Sequence, residues 1–542
     1  MTTTTIGSKG SDVYTLDGVG SDLVALNAVL VRGASSSTIE SLLPKINDED
    51  AFVLAFMTRA IRGGKGERDL FYEMYSVLLK TRCPLALDLL DLVGHYGYWG
   101  DLFALGEKHT EIVWPRLLAI VKKELSDSKS LIPKWMPREG RPLAATLATA
   151  LWTGPVNSIH SSKLRAYRKT VANLNKTLAT TEIAMCAGDW ANIKPGRVPG
   201  RCMKQNKLAF LNEVAPKKKG QHVVKGTLRH PEIKARMVCR ENFQKYFVKT
   251  ASGEVKAKGS DTLYPHEVIR NICQSVSVDE RNSLTGMWRS FVDSAVASGG
   301  LGRSIPMCDF SGSMRGLPLE VSRAMGLLIS EITTDEFKNK MLTFDSEPKW
   351  LNFPVGSSIF ERVDIVTKSG YGHGLSTDFQ KAMDMVLSQL KQQRVVPGKE
   401  PENLIVLTDM AWDAACGSSV VSSYTGNTYR NVVKTSGWQT HIQMIRESFK
   451  RAGEDMFGEG NGYKPPRIVI WNISASCEDM HAQASEEGVV MLSGWSPSLF
   501  KVLMTKGIEI QTPLDALRAQ LNDPLYDLVR QRVAAYKRGS KE

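Results

Sequence analysis

Apolar and polar positions follow two regimes along this chain. From residue 23 to about residue 193 the apolar residues recur at helical spacing. The segments 51–61, 70–79, 85–93, 112–125 and 143–151 each carry such a stripe, separated by glycine, proline or charged turns. Strand-like alternation is scarce there, so the spacing predicts a multi-helix array. A helical-repeat solenoid is one form of it, although no fixed period marks a repeat. From Ser304 the regime changes. Short apolar runs at 305–308, 340–344, 404–407, 467–471 and 489–492 read as buried strands. Helical stripes fall between and after them, at 319–331, 379–390, 440–451, 498–504 and 513–521. This alternation predicts an α/β doubly wound, mainly parallel sheet. The expected organisation is multi-domain: a polar, flexible 1–20, an α-helical region 21–299, an α/β domain 300–512 and a C-terminal helix with a basic tail, 513–542.

One strand end carries candidate chemistry. The run SIPMCDFSGSM, 304–314, ends its apolar part in Asp309, Ser311 and Ser313, three oxygen donors at alternate positions. Gly312 and Gly316 permit a tight turn, and Pro318 suits the first turn of the following helix. In open α/β sheets ligands bind at the carboxyl ends of strands. Hard oxygen donors there suit Mg²⁺, Mn²⁺ or Ca²⁺ rather than zinc or copper. The triplet alone is common turn chemistry. Two further stretches change its weight. GLSTD, 374–378, precedes a helical run, and LIVLTD, 404–409, is a second buried-strand pattern ending in an acid.

Composition bounds the rest. A chain of 542 residues has room for two or three domains, and 42% hydrophobic with 23% charged residues is ordinary for a globular protein. No run approaches the roughly 18–20 apolar residues of a membrane helix. MTTTTIGSKGSD lacks a signal peptide's apolar core, and the eight cysteines are scattered without a C-x-x-C pair. A cytoplasmic protein without membrane partners, disulfide framework or structural zinc is expected. The net charge of +12 favours polyanion partners, nucleic acid first.

That charge is concentrated. Residues 194–258 hold 17 Lys or Arg against 4 acids, an excess that matches the net charge of the whole chain. Arg197, Arg201, Lys204, the run Lys217, Lys218 and Lys219, Lys225 and Arg229 are candidate RNA contacts. Phe243, Tyr246 and Phe247 lie among further lysines, so the stretch predicts an electrostatic groove with stacking platforms. A glycine-rich connector, RAIRGGKGERD at 59–69, is not a P-loop, because no G-K-[ST] ends it. Its Arg59, Arg62, Lys65 and Arg68 either face a phosphate backbone or pair with Glu67, Asp69 and neighbouring acids. The aromatic turn HYGYWGD, 95–101, either packs between helices or stacks on bases.

The D-x-S-x-S of Asp309, Ser311 and Ser313, with Thr377 and Asp409, resembles the metal-ion-dependent adhesion site of von Willebrand factor A domains. The resemblance implies that these five residues hold Mg²⁺ (or Mn²⁺ or Ca²⁺), some through water, and leave a position open for a carboxylate of an acidic protein ligand. Further stretches are specific: RAIRGGKGERDLFYEM (59–74), PHEVIR (265–270), LSTDFQKAMDMVL (375–387), IVIWNIS (468–474) and EGVVMLSGWSPSLFKVLM (487–504). They resemble a family of unknown function that pairs a helical N-terminal region with a von Willebrand A-like C-terminal region. That pairing is distantly similar to the TROVE family of Ro autoantigens, in which a ring of helical repeats binds small structured and misfolded RNAs. The resemblance implies a non-enzymatic RNA-binding scaffold carrying a metal-dependent ligand-binding domain. The alternative is a metal-dependent protein-interaction module on a helical scaffold without RNA binding. Catalysis is not expected. A nuclease usually focuses more acids on its metals, whereas Asp345 ends a different strand and Asp378 should cap a helix.

Overall fold

The apolar runs after residue 303 become one sheet. In a computed structural model the described residues are 4–8, 12–152, 160–215, 224, 226–259, 263–274, 277–334, 337–345, 347–368, 379–411, 438–476, 478–500, 503 and 512–539. Their strands are β1 Thr4–Ile6, β2 Asp12–Tyr14, β3 Ser304–Asp309, β4 Lys340–Phe344, β5 Trp350–Asn352, β6 Asn403–Thr408, β7 Arg467–Asn472 and β8 Val489–Ser493. Six of them form a sheet in the order β5-β4-β3-β6-β7-β8. All its pairings are parallel except β5 on β4. Every residue of β3, β6 and β8 is buried. Burial of successive residues covers both faces, which explains why these strands read as unbroken apolar runs.

The chain order reverses beside β3. From β3 the chain moves outward to β4 on one side, and β6 then takes the other side. The carboxyl ends of β3 and β6 therefore flank the switch point, where open sheets place their ligands. The helix Leu317–Ile332 returns from β3 with Pro318 in its first turn. It packs closely on the sheet at Gly326, where an added Cβ would lie 2.3 Å from Cys308 Sγ.

The chain divides into two units. The first comprises Met1–Ile46, Tyr264–Ser275 and Trp288–Asp523 and contains the sheet. It takes in 21–46, 264–275 and 288–299, which the expected organisation groups with the helical region. The helix Asp22–Val29 is buried at seven of its eight positions, so no polar face reveals its neighbour in the sequence. Asn472 Nδ2 at the end of β7 donates to the Ala28 carbonyl over 2.9 Å. The expectation of a flexible 1–20 is corrected for part of that stretch. β1 and β2 pair as an antiparallel hairpin, and the Tyr14 amide donates to the Met480 carbonyl over 2.8 Å. Backbone bonds make this pairing, and a polar, threonine-rich text does not display them.

The second unit comprises Asn47–Leu263, Val276–Met287 and Pro524–Glu542. Its described residues form helices and no strand, as the spacing predicts. Phe56, Phe71, Tyr75 and Tyr96 pack ring against ring, with Phe56 and Tyr96 centroids 5.1 Å apart. Tyr96 also stacks on Tyr526, so this ring of the aromatic turn is a packing residue.

Candidate metal centre and basic face

Asp309 is the last residue of β3, and Asp409 follows the last residue of β6. Parallel pairing in register, Cys308 beside Leu407, brings the two acids to the same edge of the sheet. Both are 0% exposed. Asp309 Oδ1 accepts from the Ser311 amide at 2.8 Å, and Oδ2 accepts from Thr408 Oγ1 at 3.0 Å. Ser311 Oγ lies 3.0 Å from Ser313 Oγ, so the two hydroxyls of the loop are neighbours. Asp409 Oδ1 accepts from the Ala411 amide at 3.1 Å, and Oδ2 accepts from Ser476 Oγ at 3.3 Å.

Two carboxylates taken out of water next to each other repel, and each loses hydration. Burial, with Asp409 adding to it, pushes the Asp309 carboxyl up to about 7. Hydrogen bonds from Ser311 and Thr408 oppose the rise, but no cation of the described residues contributes. The pair therefore either keeps a proton or takes a cation. The donors gathered here are carboxylates and hydroxyls. That set fits a hard divalent ion and does not suit zinc or copper. Among the described residues no group of three or more His, Cys, Asp or Glu is gathered for a metal. A site of two acids with hydroxyls is consistent with that. Asp345 follows β4 and is turned into its own loop, with Oδ1 accepting from the Glu347 amide at 3.0 Å.

Thr377 lies outside the described residues, as do Gly374, Asp378 and Asp413. Three groups around the acids escaped the sequence reading. Thr408 was in view, one position before Asp409. Ser476 and His481 belong to the β7–β8 connection. Their one signal was that hydroxyls at 474 and 476 follow a strand's carboxyl end, an alternation like that of Ser311 and Ser313.

The basic segment divides into core and surface. The helix Gly200–Phe210 buries Cys202, Met203 and Phe210 and exposes Arg201, Lys204 and Leu208 at helical spacing. Phe210 stacks on Phe243 of the helix Lys234–Ser252, with centroids 4.5 Å apart. Phe243 and Phe247 are buried with them, and Tyr246 packs partly buried against the same cluster. The expectation of stacking platforms at 243–247 is thus corrected: these rings are this segment's hydrophobic core. Some of the cations are also used internally. Lys207 pairs with Glu280 at 2.6 Å, Arg240 with Glu213 at 3.4 Å and Lys249 with Glu254 at 2.6 Å. Arg197, Arg201, Lys204 and Arg229 are exposed, whereas Lys217, Lys218, Lys219 and Lys225 lie outside the described residues.

The glycine-rich connector also divides. Arg62 and Arg68 are exposed. Arg59 is 2% exposed and Lys65 1% exposed, so neither is a surface contact for a phosphate backbone. Arg59 Nε donates to Asp101 Oδ2 at 2.7 Å, and Tyr72 donates to Oδ1 at 2.7 Å. Burial pushes the Lys65 ammonium down to about 7 against the pull of Glu67. The connector is thereby a buried ionic joint between helices with two exposed arginines.

Residues 303–527 match a family described as Domain of unknown function (DUF7788), a region that includes all six strands of the large sheet and both acids. The chain is 24% identical over 519 residues to Uncharacterized protein L728 of Acanthamoeba polyphaga mimivirus, across 90% of this chain and 82% of the viral protein. It is also similar to the crystal structure of Deinococcus radiodurans RO (RSR) protein, at 13% identity and a TM-score of 0.39, across 89% of this chain and 99% of that one. At that score the likeness supports no argument about function.

Proposed function

We propose that this protein is a non-enzymatic RNA-binding scaffold whose sheet unit, von Willebrand A-like in its site, also binds a ligand through a divalent cation. The cation half rests on one observation. Asp309 and Asp409 are both fully buried at the switch point, with no cation of the described residues acting on Asp309. Asp309, Ser311, Ser313 and Asp409 would hold Mg²⁺, or Mn²⁺ or Ca²⁺, and Thr377 joins them on the sequence resemblance alone. A bound ion with partial protein coordination offers an open position to an incoming carboxylate. The chain's own part is to fix the two acids and to exclude water around them. Calorimetry with Mn²⁺ tests this half: wild type should bind, and Asp309→Ala should not while remaining folded. Equal affinity in both would remove the assignment.

The RNA half rests on charge. In the segment 194–258, Arg197, Arg201, Lys204 and Arg229 are exposed. Phosphate neutralisation by such residues releases counterions, so affinity should fall steeply with salt. Filter binding of a structured RNA from low to physiological salt tests it. A weak affinity with a flat salt dependence favours the second reading, a metal-dependent protein-binding module on a helical scaffold.

A further inference from the structure

Asp409 is followed by a backbone that does not hold itself. Met410 has φ +67°, in the left-handed region that side chains with a Cβ avoid. It is also buried, so the conformation is imposed by its surroundings. In this conformation the Met410 amide donates to Thr408 Oγ1 at 3.2 Å and the Ala411 amide to Asp409 Oδ1 at 3.1 Å. The Met410 carbonyl faces His481, with His481 Nε2 2.6 Å away. A carbonyl only accepts, so Nε2 carries the proton. Ser476, five positions earlier, donates to Asp409 Oδ2.

Both residues sit on the β7–β8 connection, which is itself anchored. Residues 478 and 480 are tied down by Thr38 Oγ1 to Glu478 Oε1 at 2.7 Å and by the Tyr14 amide to the Met480 carbonyl at 2.8 Å. Both anchors lie just before His481 and come from an N-terminal segment of the same unit. We propose that His481 and Ser476 are positioning residues for Asp409. His481 holds Met410 in its left-handed turn, and Ser476 orients the carboxylate. Together they set where the second acid stands relative to Asp309. The consequence for metal rests on the cation reading above, but the loop geometry does not.

The test uses the full chain with His481→Leu, His481→Gln and Ser476→Ala, and two readouts. One is Mn²⁺ affinity by calorimetry. The other is hydrogen exchange in EDTA of the peptide containing Met410 and Ala411. His481→Leu should weaken Mn²⁺ binding about 10-fold or more, as loss of a ligand's supporting hydrogen bond does. It should also speed exchange at 410–411 while 404–407 stays protected. His481→Gln, whose amide N–H replaces that of Nε2, should recover most of both. Unchanged affinity and unchanged exchange in His481→Leu would overturn the proposal. If wild type takes up no Mn²⁺, the cation reading fails and the exchange data still decide: faster exchange in His481→Leu upholds the positioning role, and wild-type exchange overturns it. If His481→Leu does not fold, Ser476→Ala carries the test, and wild-type affinity and exchange there overturn the proposal.

Discussion

Asp309 titrates at 3.8 in an unfolded chain, but in the fold burial and Asp409 hold it up at about 7. Between those values the folded protein binds more protons than the unfolded one, so this group makes stability fall as pH rises. We expect the metal-free protein to lose stability from about pH 4 through about pH 7 on this account. Asp309→Asn should flatten that slope, because a neutral amide keeps the shape without the charge. Denaturant titrations in EDTA at several pH values measure it, and identical slopes in both proteins would clear Asp309 of the effect. Mg²⁺ should then raise the stability of wild type at pH 8 and leave Asp309→Asn unmoved, since only a binding-competent fold gains from ligand. A second residue-scale expectation concerns Arg59. Its removal leaves Asp101, 0% exposed, without this ion-pair partner. Arg59→Ala should cost about 3–5 kcal/mol in denaturant unfolding, the usual result of breaking one side of a buried pair. A loss under about 1 kcal/mol, the range of surface pairs, would mean that water reaches Asp101.

At the scale of elements, the helix Gly200–Phe210 divides its residues between a core and a charged face. Its apolar side packs on Phe243 and Phe247, so Arg201 and Lys204 are presented on a fixed support. Arg197→Gln, Arg201→Gln and Lys204→Gln together should weaken RNA binding. They should also flatten the log–log salt dependence by about one unit per lost phosphate contact on duplex, less on single strands. Lys65→Gln should leave that slope unchanged, because its ammonium is buried. Filter binding across a salt series reads both. A slope that changes with Lys65 and not with Arg197, Arg201 and Lys204 would reverse the assignment of surface and core.

On the scale of the whole molecule, the acid pair belongs to the sheet unit and the basic face to the helical unit. RNA affinity should therefore survive removal of divalent ions. EDTA and Asp309→Ala should each leave the filter-binding curve within about twofold of wild type, while high salt abolishes it. If EDTA releases RNA as fully as salt does, a cation bridging to phosphate becomes the better account.

The sequence by itself determined five of the sheet's six strands and the acids that end two of them, but neither β5 nor the β1–β2 hairpin. Buried parallel strands must be apolar at successive positions, so 305–308, 404–407 and 489–492 announced themselves. An acid ending two of those runs marked Asp309 and Asp409 as a pair before any contact was known. Helical spacing likewise identified the second unit's residues before 264 as helical, but not the unit's bounds. What the linear pattern could not carry was which groups become neighbours across long separations. Arg59 and Lys65 look like surface cations until Asp101 and the surrounding helices enclose them. Phe243 and Phe247 look like platforms among lysines until Phe210, 33 positions from Phe243, covers them. The helix Asp22–Val29 is buried at seven of its eight positions, so only packing assigns it to the sheet unit. His481 stands 71 residues from the carbonyl it holds, and no local rule links them. Local sequence sets periodicity and donor type because those depend on neighbours along the chain. Burial, and with it the charge state and role of each polar group, depends on neighbours in space.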